Sequence, residues 1–137
     1  MDDLKSLGAN VTRAHYLLND RLLSRLDEEG ILVWSQAPVY HEDKLLERKA
    51  GMTNALRKVR GTVLAARNHP SVMTHSVANE LSPYPDDVRP TYRFMVRAAR
   101  MARNLDSTVP VSIDLLSYPR IAKQDAYVHF GLLGINS

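Results

Sequence analysis

The chain has 137 residues, 45% of them hydrophobic and 24% charged, which is ordinary for one folded domain and wrong for a disordered segment. It contains no cysteine, so a disulfide scaffold, a cysteine-ligated zinc site and a thiol nucleophile are excluded. Eighteen basic residues against fifteen acidic ones leave a net charge of only +3, a weak field for binding nucleic acid.

The N-terminus is charged (Met1-Asp2-Asp3-Leu4-Lys5) and lacks the apolar stretch of a signal peptide. No apolar run approaches the length of a membrane span. A helix tail is expected over Asp2 to Leu7, followed by a strand over Val11 to His15. Asn19 or Asp20 can cap a helix whose Leu22, Leu23 and Leu26 share a face and which Gly30 ends. Ile31 to Gln36 is a second strand, rich in branched and aromatic residues. From Glu42 to about Asn68, Leu45, Met52, Leu56, Val59 and Val63 recur at helical steps until Pro70 stops the run. Val72 to Ala78 is a third strand. Asp86 to Asn104 is helical, with Phe94, Ala98, Met101 and Leu105 inside. Arg93, Arg97, Arg100 and Arg103 lie mostly off that stripe and read as a solvated outer face. Val109 to Leu115 is a fourth strand, Ser117 to Gln124 allows a short helix, and Tyr127 to Ile135 holds a fifth strand.

Strands alternating with helices make a parallel sheet with right-handed crossovers. Most of the strand runs lack polar alternation, as expected for strands covered on both faces. Neither GxGxxG nor GxxxxGK[ST] occurs, which turns the reading from a doubly wound nucleotide binder towards barrel units. A full (β/α)8 barrel needs eight strands. The expected architecture is therefore a partial (β/α)8 TIM barrel of five strands, forming a single domain over residues 1–137.

Barrel enzymes place their reactive groups at the C-terminal ends of the strands. Those ends here carry Arg13 and His15, Gln36, Asn79 and Glu80, Asp114, and Asn136. Glu80 is the foremost candidate, because a carboxyl group at an apolar barrel rim loses solvation and suits a general acid. Strict alternation aims Asn79 and Glu80 to opposite sides, so both reach the cavity only if the strand ends or bulges there. His15, His75 and His129 invite a metal reading, but neither a paired His-x-His nor HExxH is present. No metal or cofactor is expected. Trp34, the only tryptophan, reads as core rather than as a sugar platform.

Asn68-His69-Pro70-Ser71-Val72 followed by Ser76-Val77-Ala78-Asn79-Glu80 resembles the acid/base signature of glycoside hydrolase family 2, the β-galactosidase, β-glucuronidase and β-mannosidase group. Leu7-Gly8-Ala9-Asn10 with Thr12-Arg13-Ala14-His15-Tyr16 resembles that family's second barrel strand. Asp27 to Trp34 resembles its third helix–strand junction, and Gly134-Ile135-Asn136 the start of its sixth strand. The likeness runs from about Leu4 to Ser137 and identifies the chain as strands two to six of such a barrel.

The resemblance implies a retaining glycosidase acting on β-glycosides. Glu80 would be the general acid/base and Asn79 the partner of the sugar hydroxyl beside the anomeric carbon. Arg13 would lie under the nucleophile, and His15 would line the sugar pocket. The nucleophile would come from strand seven, outside this chain, and Asp114 is on the wrong strand to replace it. Leu17, His75 and Ala78 depart from the family pattern and are expected to touch the pocket wall. The implied partners are a carbohydrate substrate and the remaining barrel strands and β-sandwich domains of a parent protein. Nucleic acid and membrane are not among them. A second reading is a carbohydrate-binding or truncated barrel piece that is inert alone; a third, a metal-dependent hydrolase built on the histidines. An open barrel with two free edges and an apolar interior containing some of Val33, Val77 and Ile113 is expected to self-associate.

Overall fold

The computed structural model describes residues 2–40, 43–81, 88–116 and 125–136. Five strands form one parallel sheet in the order β1-β2-β3-β4-β5: β1 Val11–Ala14, β2 Leu32–Gln36, β3 Val72–Asn79, β4 Val111–Leu115 and β5 Leu132–Ile135. Helices α1 Asp2–Ser6, α2 Asp20–Glu29, α3 Asp43–Leu46, α4 Lys49–Ala66 and α5 Val88–Leu105 alternate with them. Sequential neighbours throughout, with a helix in each longer crossover, is the winding of a (β/α)8 barrel carried through five strands. Among the described helices none is long and apolar enough to cross a membrane.

Local chemistry explains the element ends. Asn19, rather than Asp20, caps α2, its side-chain oxygen accepting from Leu22 N at 2.8 Å. Gly30 ends the helix at φ 67°, a backbone state that costs glycine nothing. The single long helix expected from Glu42 is instead two. Arg48 is extended (φ −95°, ψ 139°), and α4 starts afresh at Lys49. Gly51 permits this break, since a Cβ there would lie 1.9 Å from the Leu45 carbonyl oxygen. The fifth strand also starts later than expected: Asp125–His129 is a short 3-10 helix and pairing begins at Leu132. The helix expected over Ser117 to Gln124 lies outside the described residues.

Two apolar clusters join sheet to helices. One packs Val77, Val111, Ile113 and Leu115 against Met52, Leu56, Val59, Phe94 and Ala98. The other packs Val33 and Val72 against Leu23, Leu26 and Ala66. Val33, Val77 and Ile113 therefore face the helices, not the barrel interior. The inner face is largely polar. Thr74 Oγ1 bonds Ser112 Oγ at 2.9 Å, and Asp114 collects donors from β2 and β3. An apolar interior was the wrong expectation, because in these strands the apolar set occupies the helix-facing positions of the pleat.

Charge is divided unevenly. Helices α4 and α5 carry nine basic residues and no acidic one, leaving nine basic against all fifteen acidic residues elsewhere. Arg93, Arg97, Arg100 and Arg103 are exposed, as the helical stripe required.

At the N-terminal end of the strands, Asp27 of α2 accepts from Ser71 N at 2.8 Å and lies 2.7 Å from His69 Nδ1. His69 Nε2 meets Asp20 at 3.1 Å. The Asn68-His69-Pro70-Ser71 segment thus pins α2 to the turn before β3. Burial disfavours the charged form of His69, but the hydrogen bonds and charges of Asp27 and Asp20 outweigh it and hold its pKa above the ordinary 6.5. Burial likewise opposes ionised Asp27, and its bonds with Ser71 and His69 outweigh that and hold it below 3.8. A raised histidine stabilises fully below its unfolded pKa and is lost as pH rises through the folded value. A lowered carboxylate contributes above its unfolded pKa and is lost as pH falls through the folded value. The melting-temperature advantage of the native chain over His69→Gln is therefore expected to be greatest between these limits. It should shrink as pH rises past 6.5. An advantage unchanged from pH 6 to pH 9 would show that His69 is not held charged.

Candidate active site

A break in the β3–β4 register builds the site. Ser76 pairs with Ser112, but Asn79 pairs with Asp114, so two residues of β3 oppose the single Ile113. This is a bulge. Without it Asn79 would face the helices; with it Asn79 takes up the inward direction shared with Asp114. Its amide N–H donates to the Val39 carbonyl at 2.8 Å. The chain then turns sharply at Glu80, whose φ of +49° makes it the sole described non-glycine residue in the left-handed region. That conformation costs about 1–2 kcal/mol for a residue with a Cβ. It is held by Glu80 N donating to the Asp114 carbonyl at 2.9 Å. Two consecutive polar side chains are thereby brought to one side.

They open on a cleft of about 440 Å³ lined by His15, Tyr16, Pro38, Tyr40, Asn79 and Glu80. Asn136, following β5, donates from Nδ2 to Asn79 Oδ1 at 2.9 Å and to Glu80 Oε1 at 2.6 Å. Its Oδ1 accepts from Arg13 Nη1 at 2.9 Å. Arg13 lies on the first strand and Asn136 after the last, so this bond spans the arc of the sheet and reports its barrel curvature. Arg13 also stands 3.4 Å from Asp114 Oδ1.

Asp114 is 1% exposed. Its Oδ2 accepts from Ser76 Oγ at 2.6 Å, Trp34 Nε1 at 3.1 Å and, in a very short contact, Gln36 Nε2. Gly134 makes room for it, since a Cβ there would fall 1.8 Å from Asp114 Oδ1. Because Gln36 spends its NH2 on Asp114, its Oε1 faces His15 Nδ1 at 2.8 Å. That nitrogen therefore carries the proton, since two acceptors cannot share the bond.

All four residues singled out from sequence, Arg13, His15, Asn79 and Glu80, thus gather at the C-terminal end of the sheet. Asn136, Gln36 and Asp114 were visible only as polar strand ends, and Tyr40 carried no signal. Trp34 faces the interior and is half-buried, its indole N–H on Asp114. His75 and Ala78 do not touch the pocket wall, contrary to expectation. His75 is buried on the helix side with Nε2 2.8 Å from Asp106, and Ala78 lies in the core. The bulge begins beyond His75, so it keeps the outward direction of the regular pleat. Among the described residues no three histidine or carboxylate side chains cluster as metal ligands.

The profile of glycosyl hydrolases family 2, TIM barrel domain, matches residues 1–124. The chain belongs to glycosyl hydrolase family 2. A β-glucuronidase of Paenibacillus borealis is 32% identical over 121 residues, which is 80% of this chain and 20% of that protein. The chain thus spans about a fifth of the length of this relative. The fold agrees with solved structures. Ruminococcus gnavus β-glucuronidase superposes with a TM-score of 0.83 at 22% identity, covering 99% of this chain and 24% of that one. Bacteroides uniformis β-glucuronidase gives 0.84 at 23%, covering 98% and 17%. In family 2 terms the five strands are a half-barrel, with the gathered polar residues at the end where barrel enzymes hold their chemistry.

Proposed function

We propose that this chain carries the acid/base side of the active site of a retaining β-glycosidase, with β-glucuronides as the substrate class. One observation carries the reading: the bulge and the left-handed turn bring Asn79 and Glu80 into the same cleft as His15. Glu80 protonates the leaving oxygen and then deprotonates the attacking water. Asn79 holds the hydroxyl beside the anomeric carbon, His15 lines the sugar pocket, and Arg13 lies beneath the nucleophile. Retention needs a second carboxylate about 5–5.5 Å from the first. Asp114, spent on buried donors below the rim, is unsuited to that role, so the nucleophile is assigned to sequence outside these 137 residues. The 32% identity with a β-glucuronidase supports the substrate class.

The test compares the isolated chain with a protein in which the barrel is complete. The complete barrel is expected to release aglycone from aryl β-glucuronides with retained configuration, and the isolated chain to show no turnover. Hydrolysis by the isolated chain that is lost in Glu80→Gln would place both carboxylates within it. Inverted product would remove the retaining mechanism. The isolated chain should also self-associate. Strands β1 and β5 are unpaired on one side among the described residues, and the outward Leu133 and Ile135 are 40% and 54% exposed. Light scattering at micromolar concentration is expected to give a dimer or larger. A 15.4 kDa monomer would refute it.

A further inference from the structure

Resting on the acid/base reading of Glu80, we infer that Asn136 is a positioning residue that sorts donors from acceptors at the site. An asparagine side chain has one acceptor end and one donor end, and its orientation must be set by a neighbour that can be only one of these. Arg13 is such a neighbour, because a guanidinium offers only donors. Its Nη1 lies 2.9 Å from Asn136 Oδ1, and it is itself anchored 3.4 Å from the buried Asp114 carboxylate. The backbone N–H of Asn136 donates to the Leu115 carbonyl at 2.8 Å, so the residue cannot swing away. Its NH2 must then point to Asn79 and Glu80, where one proton meets Asn79 Oδ1 at 2.9 Å and the other Glu80 Oε1 at 2.6 Å.

Two consequences follow for the chemistry. Asn79 has its acceptor engaged, so its own NH2 is the end available to a ligand, and it offers hydrogen bonds to a sugar oxygen. Glu80 has Oε1 engaged as an acceptor, so a proton on this carboxyl resides on Oε2, the oxygen that would deliver it to the leaving group. The buried Asp114 thus governs, through Arg13 and Asn136, the polarity of both residues without touching the substrate.

Two measurements test this. In the 137-residue chain, the side-chain NH2 resonances of Asn136 are expected to move as pH is lowered through the titration of Glu80. That movement should vanish in Glu80→Gln. Resonances that do not respond would overturn the inference whatever the catalytic role of Glu80. In the complete barrel, Asn136→Ala is expected to lower kcat/KM for phenyl glycosides about tenfold. The preference for 2-hydroxy over 2-deoxy substrates should fall by a similar factor. Dinitrophenyl glycosides, which need little proton assistance, should be affected less. Asn136→Asp keeps the shape but sets a carboxylate against two acceptors; it should lose more at neutral pH and recover in part at acid pH, which a merely structural role would not produce. If Glu80→Gln is inactive while both Asn136 variants keep the native leaving-group dependence and 2-hydroxy preference, the inference is wrong. If Glu80→Gln retains full activity, the acid/base reading fails, and the catalytic consequence drawn for Asn136 fails with it.

Discussion

In the complete barrel, Glu80→Gln is expected to lower kcat for unactivated β-glycosides by about 10²–10⁴-fold, the usual worth of positioned general acid–base help. The substitution is nearly isosteric. A glutamine Oε1 still accepts from Asn136, and the Glu80 N–H to Asp114 carbonyl bond is untouched, so loss through unfolding is not expected. The proton is what disappears. The loss in kcat/KM, which reports the glycosylation step, should therefore be steep with poor leaving groups and small with dinitrophenyl ones. Deglycosylation then becomes slow, because no base activates water. Added azide, which needs no deprotonation, should restore turnover and give a β-glycosyl azide. Steady-state rates across a leaving-group series supply the measurement. A uniform loss across the series would point to damage to the cleft rather than removal of an acid, and activity within threefold of native would exclude Glu80 from the chemistry.

The largest stability effect is expected at Asp114. Replacement by alanine takes the acceptor from Gln36, Ser76 and Trp34 and the counter-charge from Arg13 in one step. Breaking a buried charged network by removing one member costs about 3–5 kcal/mol, because the remaining polar groups stay buried without partners. A single domain has only about 5–15 kcal/mol in total, so Asp114→Ala should forfeit a large fraction of the stability. Asp114→Asn should cost less, since it keeps one acceptor but turns an NH2 towards groups that are donors themselves. Urea unfolding followed by tryptophan fluorescence suits this, because Trp34 is the only tryptophan and bonds Asp114 directly. A cost below about 1 kcal/mol for the alanine variant would mean that water replaces the carboxylate readily. The wall of the site would then be less rigid than its hydrogen bonds imply.

Much of this was legible in the chain itself. The order of strands and helices follows from local signals: Asn19 and Gly30 bracket α2, Pro70 ends the long helical run, and branched apolar runs mark β2, β3 and β4. Such signals act over a few residues and need no partner. Their spacing also placed Arg13, His15, Asn79 and Glu80 at strand ends, and hence at one end of a parallel sheet. The break at Arg48 and the late start of β5 were not legible, because each depends on contacts across the fold. The Leu45 carbonyl closes on Gly51, and Gly131 N donates to Val111 O at 2.9 Å.

Sequence by itself determined the fold class, the family and the four residues at the mouth, since these rest on residue types at fixed chain separations. Only the tertiary structure decided which way those residues point. Alternation along β3 would have sent Asn79 to the helices; a bulge against β4 and a left-handed turn at Glu80 reversed that, and both are held by the carbonyls of Val39, in the segment after β2, and Asp114 of β4. The polar interior was hidden for the same reason. Trp34, Gln36, Ser76 and Asp114 lie on three different strands, and no pattern within one strand shows that curvature brings them to a single carboxylate. Asn136 is the extreme case. Its 123-residue separation from Arg13 is bridged only because the sheet curls. A hydrogen bond between side chains depends on distances of a few tenths of an ångström, and these are set by packing of the whole arc rather than by the order of residues along it.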